Sequence, residues 1–427
     1  MTTRSTLTAT ADDAAVRAWL RTAAHPLTGT DAEHTDTDLE PLIERLAGAT
    51  VIGLGESTRF SHQTYGVRER IFRILVEEHG FRALAIQDSA RSGERLDAYA
   101  RYGTGDPHAV LAGAWRPWRT AETVATLEWI RAYNERHPDD QVSVFGVEPP
   151  AAEPTDYDAV LDYVQDIAPD RLTELRGHLA PIRTAHRIDE HVQRHQGIHP
   201  GRPFVEHARD ALALVESLSD PRAEAAVSGE SLAHRHTTAL DRVRLIVAFH
   251  ENSVAGQGGF ARDEKPSADT IVSWYDRIGA RIVYWDGLAH TSALSARMGG
   301  SAPAIFRGTG SHLRAYFGPR YLSVAIGFHH GDLGMAVAPD PAPDLLDAAL
   351  AAVDLPAFYL DLSVEAPAAV RRWLDEPVPV RVISGVYDPA QDDLARFQPD
   401  SLAGAFDALV HIRQTTPVRW LPEPHPA

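Results

Sequence analysis

Residues 50–86 constrain this chain more than any other stretch. Thr50-Val51-Ile52-Gly53-Leu54-Gly55 is a short, β-branched, glycine-bounded apolar run that ends in Glu56. Such a run reads as a buried strand. In the residues that follow, Val67, Ile71, Ile74 and Leu75 fall on one helical face, and Gly80 stands where a C-terminal cap belongs. A second apolar strand, 82–86, ends at Gln87. Strand, helix and strand in that order make a parallel sheet with a right-handed crossover. The alternation continues with a helix before Gly103 and Gly105, a helix over 121–134, and a strand over 141–146 that ends near Glu148. Later strands are expected at 281–285, 321–326 and 357–362, and residues 1–47 read as a helix, a loop and a second helix over 38–46. The expected fold class is α/β, a mostly parallel sheet flanked by helices.

Between about 155 and 250 the pattern changes to polar, histidine-rich and helical, with no strand signal. This stretch reads as a helical insertion, a lid-like subdomain over a cleft. The expected division is therefore 1–154 with 251–427 as an α/β core, and 155–250 as the helical subdomain. The proline-rich end, PVRWLPEPHPA, is expected to fray.

Composition narrows the partners. A chain of 427 residues with 44% apolar content can bury a large core. A net charge of −18 repels nucleic acid and anionic membrane alike. No run approaches the roughly 18 apolar residues of a membrane span, and the N-terminus lacks a signal-peptide core. The expectation is a soluble, cytoplasmic protein with a small-molecule substrate, no nucleic-acid or membrane partner, and an oligomeric state that composition leaves open. Cysteine is absent, which excludes disulfides, thiolate metal sites and a cysteine nucleophile. A single lysine, Lys265, limits Schiff-base chemistry to that position.

In an open parallel sheet, ligands bind beyond the carboxyl ends of the strands. Those ends deliver Glu56-Ser57-Thr58-Arg59-Phe60-Ser61-His62, then Gln87-Asp88-Ser89, Glu148, and Asp286-Gly287-Leu288-Ala289-His290. Each residue also has a plain structural reading. Glu56 equally suits a carboxylate at the start of the next helix, Gln87 a partner for loop amides, and His290 an ordinary loop histidine. Their convergence on one edge carries the functional reading. Trp115, Trp118, Trp285 and Phe60 are candidate apolar lining, and core positions just as well.

Other constellations carry less. His186, His191, His195 and His199 are spaced so that some share a helix face, but the polar residues between them suit a solvated surface better than zinc. His329-His330-Gly331-Asp332 follows a strand and either approaches the cleft or sits at its rim. Gly256-Gln257-Gly258-Gly259 lacks the Gly-Lys-Ser/Thr of a phosphate loop, Gly299-Gly300 lacks a dinucleotide-binding context, and no Gly-x-Ser-x-Gly nucleophile elbow occurs.

The opening Gly-Leu-Gly-Glu-Ser-Thr-Arg-Phe, then Arg68 and Leu75-Val76-Glu77-Glu78-His79-Gly80-Phe81, resembles the signature of the erythromycin esterase-like family. The resemblance continues through Gly103-Thr104-Gly105-Asp106, Trp118-Arg119-Thr120-Ala121-Glu122, and Leu127-Glu128-Trp129-Ile130-Arg131 with Tyr133-Asn134. It extends through Phe145-Gly146-Val147-Glu148, Arg262-Asp263, Ala268-Asp269, Leu313-Arg314, Gly318, Tyr321, Gly327-Phe328 and Phe406-Asp407-Ala408. The order and spacing span essentially the whole chain, apart from the helical stretch. The family is similar to metal-independent hydrolases that open macrolide lactones with an activated water. The resemblance therefore implies no cofactor, no metal, and a histidine base oriented by glutamates.

The chain departs from that pattern where the chemistry belongs. The base position is Arg59, which stays protonated and cannot abstract a proton. Gln63 and Gln87 stand where glutamates are expected, and Gly287 stands for the first of two histidines, leaving His290. Glu56 and Arg68 are kept. The candidate catalytic set is Glu56, Arg59, His62, Gln87 and His290. The candidate substrate-binding set is Arg68, Phe60, Gln63, Asp88, Trp118, Glu122, Glu148 and Asp286. Three readings compete. In the first, Arg59 holds an anion while Glu56, His62 or His290 moves protons in a cyclisation, isomerisation or elimination of natural-product metabolism. In the second, hydrolysis survives with a rearranged base such as His62. In the third, the protein binds a small molecule without turnover. Arg59 held in a purely structural ion pair with Glu56 is the plain alternative.

Overall fold

A computed structural model describes residues 3–34, 37–148, 152–183, 202–218, 232–252, 262–298, 304–383 and 387–422. The histidines at 186, 191, 195 and 199 and the glycines at 256, 258, 259, 299 and 300 lie outside the described residues. The chain divides into two compact units. One comprises Met1–Asp88, Ser92–Val147 and Phe260–Ala427; the other comprises Ser89–Arg91 and Glu148–Gly259.

Fourteen strands are described: β1 His25–Pro26, β2 Val51–Glu56, β3 Phe81–Ser89, β4 Ser143–Glu148, β5 Arg262–Asp263, β6 Arg281–Gly287, β7 Ala296–Met298, β8 Ala304–Arg307, β9 Tyr321–Asp332, β10 Val337–Ala338, β11 Ala357–Asp361, β12 Val380–Arg381, β13 Arg396–Pro399 and β14 Ala408–Thr415. The large sheet runs β1-β11-β14-β9-β2-β6-β3-β4, with β10 on β9. Its centre is parallel: β14 with β9, β9 with β2, β2 with β6, and β6 with β3. This is the mostly parallel α/β sheet expected from the strand-helix alternation.

The helix His62–His79 shows why the local sequence folds this way. Ser61 caps it by accepting from Thr64 N at 3.1 Å, and Gly80 ends it in a left-handed conformation at φ 70°. The sheet strands bury both faces in alternation. Ile52, Leu54, Leu84, Ile86, Val283 and Trp285 join one core with Val67, Ile71 and Leu75 of that helix. Val51, Ala83, Ala85, Ile282 and Tyr284 join the opposite core with Trp274, Leu313 and Phe317. Each fully buried aliphatic side chain there contributes roughly 1.5–3 kcal/mol.

Three features depart from the expected strands. The strand at 357 runs antiparallel to β14, because a two-residue repeat of inward side chains is the same in either direction. β14 was not anticipated, yet it lies between β11 and β9 near the middle of the sheet. Its pairing carries β9 beyond 326 to Gly331, and β10 pairs the last residue, Asp332. A second, smaller sheet, β12-β13-β7-β8-β5, was also not anticipated, since its strands are only two to four residues long.

A close approach fixes the loop after β6. A Cβ on Gly55 would stand 2.1 Å from Thr291 Oγ1 and 2.5 Å from the Leu288 Cα. Only glycine lets the short helix Leu288–Thr291, which carries His290, seat directly on β2.

The second unit is helical where described: Pro154–Ile167, Leu172–Leu179, Phe204–Ser217 and Leu232–Asn252. Tyr157, Val160, Val164, Phe204, Ala211, Val243 and Ile246 form its own core. Asp156, 1% exposed, is held by Arg91 at 3.1 Å and Arg242 at 2.6 Å. No helix among the described residues is long and apolar enough to cross a membrane.

Candidate active site

The carboxyl ends of β2, β3 and β6 bring Glu56, Gln87 and Asp286 to one edge, and the turn after β2 brings Arg59 among them. Two arginines divide the Glu56 carboxylate. Arg68 Nη1 lies 2.5 Å from Oε2, and Arg59 Nε lies 3.2 Å from Oε1. Arg68 is 1% exposed and caged by rings: its guanidinium carbon is 4.4 Å from the Trp285 ring, 4.7 Å from Tyr65 and 5.3 Å from Trp118. Such a cage suits a planar, weakly hydrated cation.

Arg59 is the hub. Its Nη2 donates to Gln87 Oε1 and, at 2.9 Å, to Asp286 Oδ1. Its guanidinium stacks 4.1 Å from Trp115, whose backbone N–H is held by Asp88 at 2.8 Å. Nη1 is buried and has no partner among the described residues. A buried guanidinium N–H left unmade costs roughly 1–3 kcal/mol.

His290 stands beside this hub. Its Nδ1 lies 2.8 and 2.9 Å from the two oxygens of Glu264, and its Nε2 lies 3.8 Å from Asp286 Oδ1. Glu264 is fixed in turn by the backbone N–H and hydroxyl of Thr309, both at 3.2 Å. Asp286 also accepts from Tyr284 Oη at 2.5 Å and Gly287 N at 2.6 Å. Arg59 and His290 keep 13% and 18% of their side chains exposed, against 1–2% for Glu56, Asp286 and Glu264. Those two residues therefore mark the accessible side of the cluster.

Burial and charge act against each other here. Burial pushes the Glu56 carboxyl up to about 7, although Arg68 and Arg59 pull it down. Burial likewise raises Asp286 against the pull of His290 and Arg59. For His290 burial alone would depress the imidazole, but Asp286 and Glu264 overcome it and leave the pKa raised. A carboxyl pushed up to about 7 and an imidazole raised by its acidic neighbours flank one fixed cation, the pattern of an acid–base site.

The other candidate residues fall elsewhere. His62 pairs with Glu122, Nδ1 to Oε1 at 2.7 Å, and has no hydrogen bond or ion pair to the Arg59 cluster among the described residues. Gln63 ties down the segment after β14, accepting from Thr416 N and donating to Thr416 Oγ1, both at 2.8 Å. Phe60 and Trp118 are 7% and 2% exposed members of the main core, and Trp118 Nε1 donates to Gln87 O at 2.8 Å. Glu148 ends β4, where the chain enters the second unit. Sequence reasoning missed Glu264 and Tyr284. Glu264 lies between Arg262-Asp263 and Ala268-Asp269, both of which carried the family resemblance, and that adjacency was the available signal.

The His62–Glu122 pair gives a pH prediction. The Glu122 hydrogen bond raises His62 above its ordinary value. The stabilisation from this pair is therefore complete between about pH 4.5 and pH 6.5; it is lost as pH rises through the raised His62 value and, because the hydrogen bond to His62 lowers Glu122, also as pH falls through that lowered carboxyl value. In a Glu122→Gln variant, the His62 pKa read by NMR is expected to fall. An unmoved His62 titration would contradict the assignment.

A family profile for erythromycin esterase matches residues 76–415. Among solved structures, a Bacillus cereus protein is 20% identical with a TM-score of 0.64, covering 96% of this chain and 99% of that one. A succinoglycan biosynthesis protein is 19% identical with a TM-score of 0.62, covering 95% and 97%. A histidine-to-asparagine mutant of the erythromycin esterase EreC, in its open conformation, is 16% identical with a TM-score of 0.57, covering 92% and 98%. At these identities the structures share the fold.

Proposed function

The chain belongs to the erythromycin esterase family, and on that premise we propose that it is an enzyme moving protons on a small, partly apolar carbonyl compound rather than hydrolysing it. The substrate class is a lactone, polyketide or terpenoid of natural-product biosynthesis or tailoring, and the reaction a cyclisation, isomerisation or elimination. The observation that carries this reading is that Arg59 Nη2, at 2.9 Å, and the Nε2 of a Glu264-oriented His290, at 3.8 Å, meet at Asp286 Oδ1, while Arg59 Nη1 has no partner among the described residues. A histidine base and a glutamate, as the family resemblance implies, are here an arginine and a glutamine. The exchange makes the site two charges more positive. That change favours an enolate, alkoxide or carboxylate over an uncharged ester, and it leaves no base at position 59 to activate water.

In this mechanism substrate binding displaces the neighbours that cover Arg59 Nη1, and the substrate oxygen accepts a hydrogen bond from it. His290 Nε2 takes the substrate proton while Glu264, on Nδ1, fixes the tautomer and stabilises the imidazolium. The electrons settle on the oxygen facing Arg59. Glu56, which titrates near pH 7, returns a proton at another atom. Gln87 and Asp286 hold the guanidinium in place, and Trp115 covers it.

The test is isotopic. The chain is incubated with a panel of macrolide lactones and β-keto esters in H2(18)O and, separately, in D2O. The proposed chemistry incorporates deuterium and no 18O. One 18O per ring-opened product would establish hydrolysis, for which the Glu264–His290 pair equally offers a base. His290→Gln is expected to lower kcat by about 10²–10⁴-fold; unchanged turnover in that variant sinks the assignment. Tight carboxylate binding with no turnover of any substrate points to a binding protein.

A further inference from the structure

A second cluster lies farther along the same sheet edge. His329 and His330 stand near the end of β9, three and four residues beyond Ile326, which pairs with Glu56 of β2. At about 3.3 Å per residue this places them roughly 10 Å beyond the Glu56 level. β9 turns back into β10 with Asp332 opposite Val337 and Gly331 opposite Ala338. Extending that register sets Asp340 opposite His329.

Three ligand-type atoms converge there. His329 Nδ1 and His330 Nδ1 are 2.9 Å apart, and Asp340 Oδ1 lies 3.6 Å from the first and 3.8 Å from the second. A tetrahedral ion with bonds of about 2.0–2.1 Å sets its ligands about 3.3–3.4 Å apart. The observed spacings bracket that value. Two neighbouring imidazoles turning the same ring nitrogen toward one point, with a carboxylate facing them, match a metal-ligand set better than a hydrogen bond, which uses a single Nδ1 lone pair. Backbone fixes part of the frame: Arg381 Nη1 donates to His329 O at 2.8 Å, and Gly331 is pressed so closely on β14 that a Cβ would stand 2.2 Å from Thr415 O.

We propose that the β9–β10 hairpin carries a divalent transition-metal site formed by Nδ1 of His329, Nδ1 of His330 and the Asp340 carboxylate. Two nitrogens and one oxygen select Zn²⁺, Ni²⁺, Cu²⁺ or Co²⁺ over Mg²⁺ and Ca²⁺. The coordination leaves a fourth position for water or a ligand. The ion would staple the hairpin across its open end, apart from the Arg59 cluster. This revises the expectation of a metal-free chain.

The test uses the full chain with ZnCl2 in calorimetry and CoCl2 in visible spectroscopy. Both are repeated on His330→Gln and Asp340→Asn, whose side chains are 36% and 82% exposed, so the fold, checked by circular dichroism, is retained. The wild-type chain is expected to bind one more equivalent of Zn²⁺ than either variant, to give a tetrahedral Co²⁺ spectrum that the variants lose, and not to bind CaCl2 there. An at least ~10-fold weaker Kd at this site in each variant fits loss of a ligand. Equal stoichiometry and Kd in wild type and both variants would falsify the site. So would an octahedral Co²⁺ spectrum unchanged by the substitutions.

Discussion

Replacing Arg59 with alanine is expected to lower kcat/KM by at least about 10²–10³-fold, the usual scale for removing a fixed donor to a developing oxyanion. The same guanidinium touches Glu56, Gln87, Asp286 and Trp115, so a purely structural role needs its own readout. The separation lies in pH dependence and rescue. Without the cation, Glu56 and Asp286, already raised by burial, are expected to rise further. A carboxyl whose folded pKa is raised stabilises the fold below its unfolded pKa, and loses that contribution as pH rises through the folded value. Arg59→Ala should therefore come closest to wild-type stability at about pH 3, below the usual carboxyl range, and fall behind it progressively toward pH 7. Free guanidinium added at millimolar concentration should recover part of the turnover if the group acts on substrate. Recovery of stability without recovery of turnover assigns Arg59 to structure alone. Full activity in Arg59→Ala overturns the proposed mechanism.

The features legible in the sequence were those written locally. The run 50–56, the Gly80 cap and the apolar face before it need only their own neighbours, and they place Glu56 at a strand end. Asp286 and Gln87 follow from the same rule. What the sequence withheld was pairing at a distance. β14 reads Ala-Leu-Val-His-Ile-Arg-Gln-Thr, and nothing local says that it slides between β11 and β9. His62 and His290 look alike in sequence. One finds Glu122, 60 residues away, and the other finds Glu264 on the segment before the helix Lys265–Ile278. The partner decides which histidine joins the cluster, and the partner is a tertiary fact. Trp118 likewise sits beside the site in sequence logic but is buried in the core, where its ring helps cage Arg68 and its N–H goes to the Gln87 carbonyl.

On the proposed function, introducing the histidines and glutamate that the family resemblance implies is expected to confer hydrolysis only as a combination, because a long side chain at 287 would compete with Arg59 for room. A Cβ on Gly287 would stand 3.1 Å from His290 Cδ2, 3.5 Å from Arg59 Nη2 and 3.7 Å from the Glu56 carbonyl. Its backbone, φ −66° and ψ 151°, suits any residue. Conformation therefore does not require glycine here; a Cβ would crowd only the His290 ring, and a longer side chain would compete with the Arg59 guanidinium for room. Gly287→His alone is expected to cost about 1–3 kcal/mol of stability by overpacking. Arg59→His shortens the side chain and vacates that volume, so the two substitutions together should recover part of the loss, with a coupling of about 0.5–3 kcal/mol in a double-mutant cycle. Gln87→Glu then supplies the carboxylate that a histidine at 59 needs for orientation, since Gln87 Oε1 already faces that position. The triple variant should open macrolide lactones with one 18O from water per product, where Arg59→His alone is inert. If the triple variant folds, binds a lactone and still shows no 18O in the product, the residues at 59, 87 and 287 do not decide whether this site hydrolyses a lactone. The difference would then lie with Glu264 and Tyr284 around Asp286, and the reaction would have to be sought there.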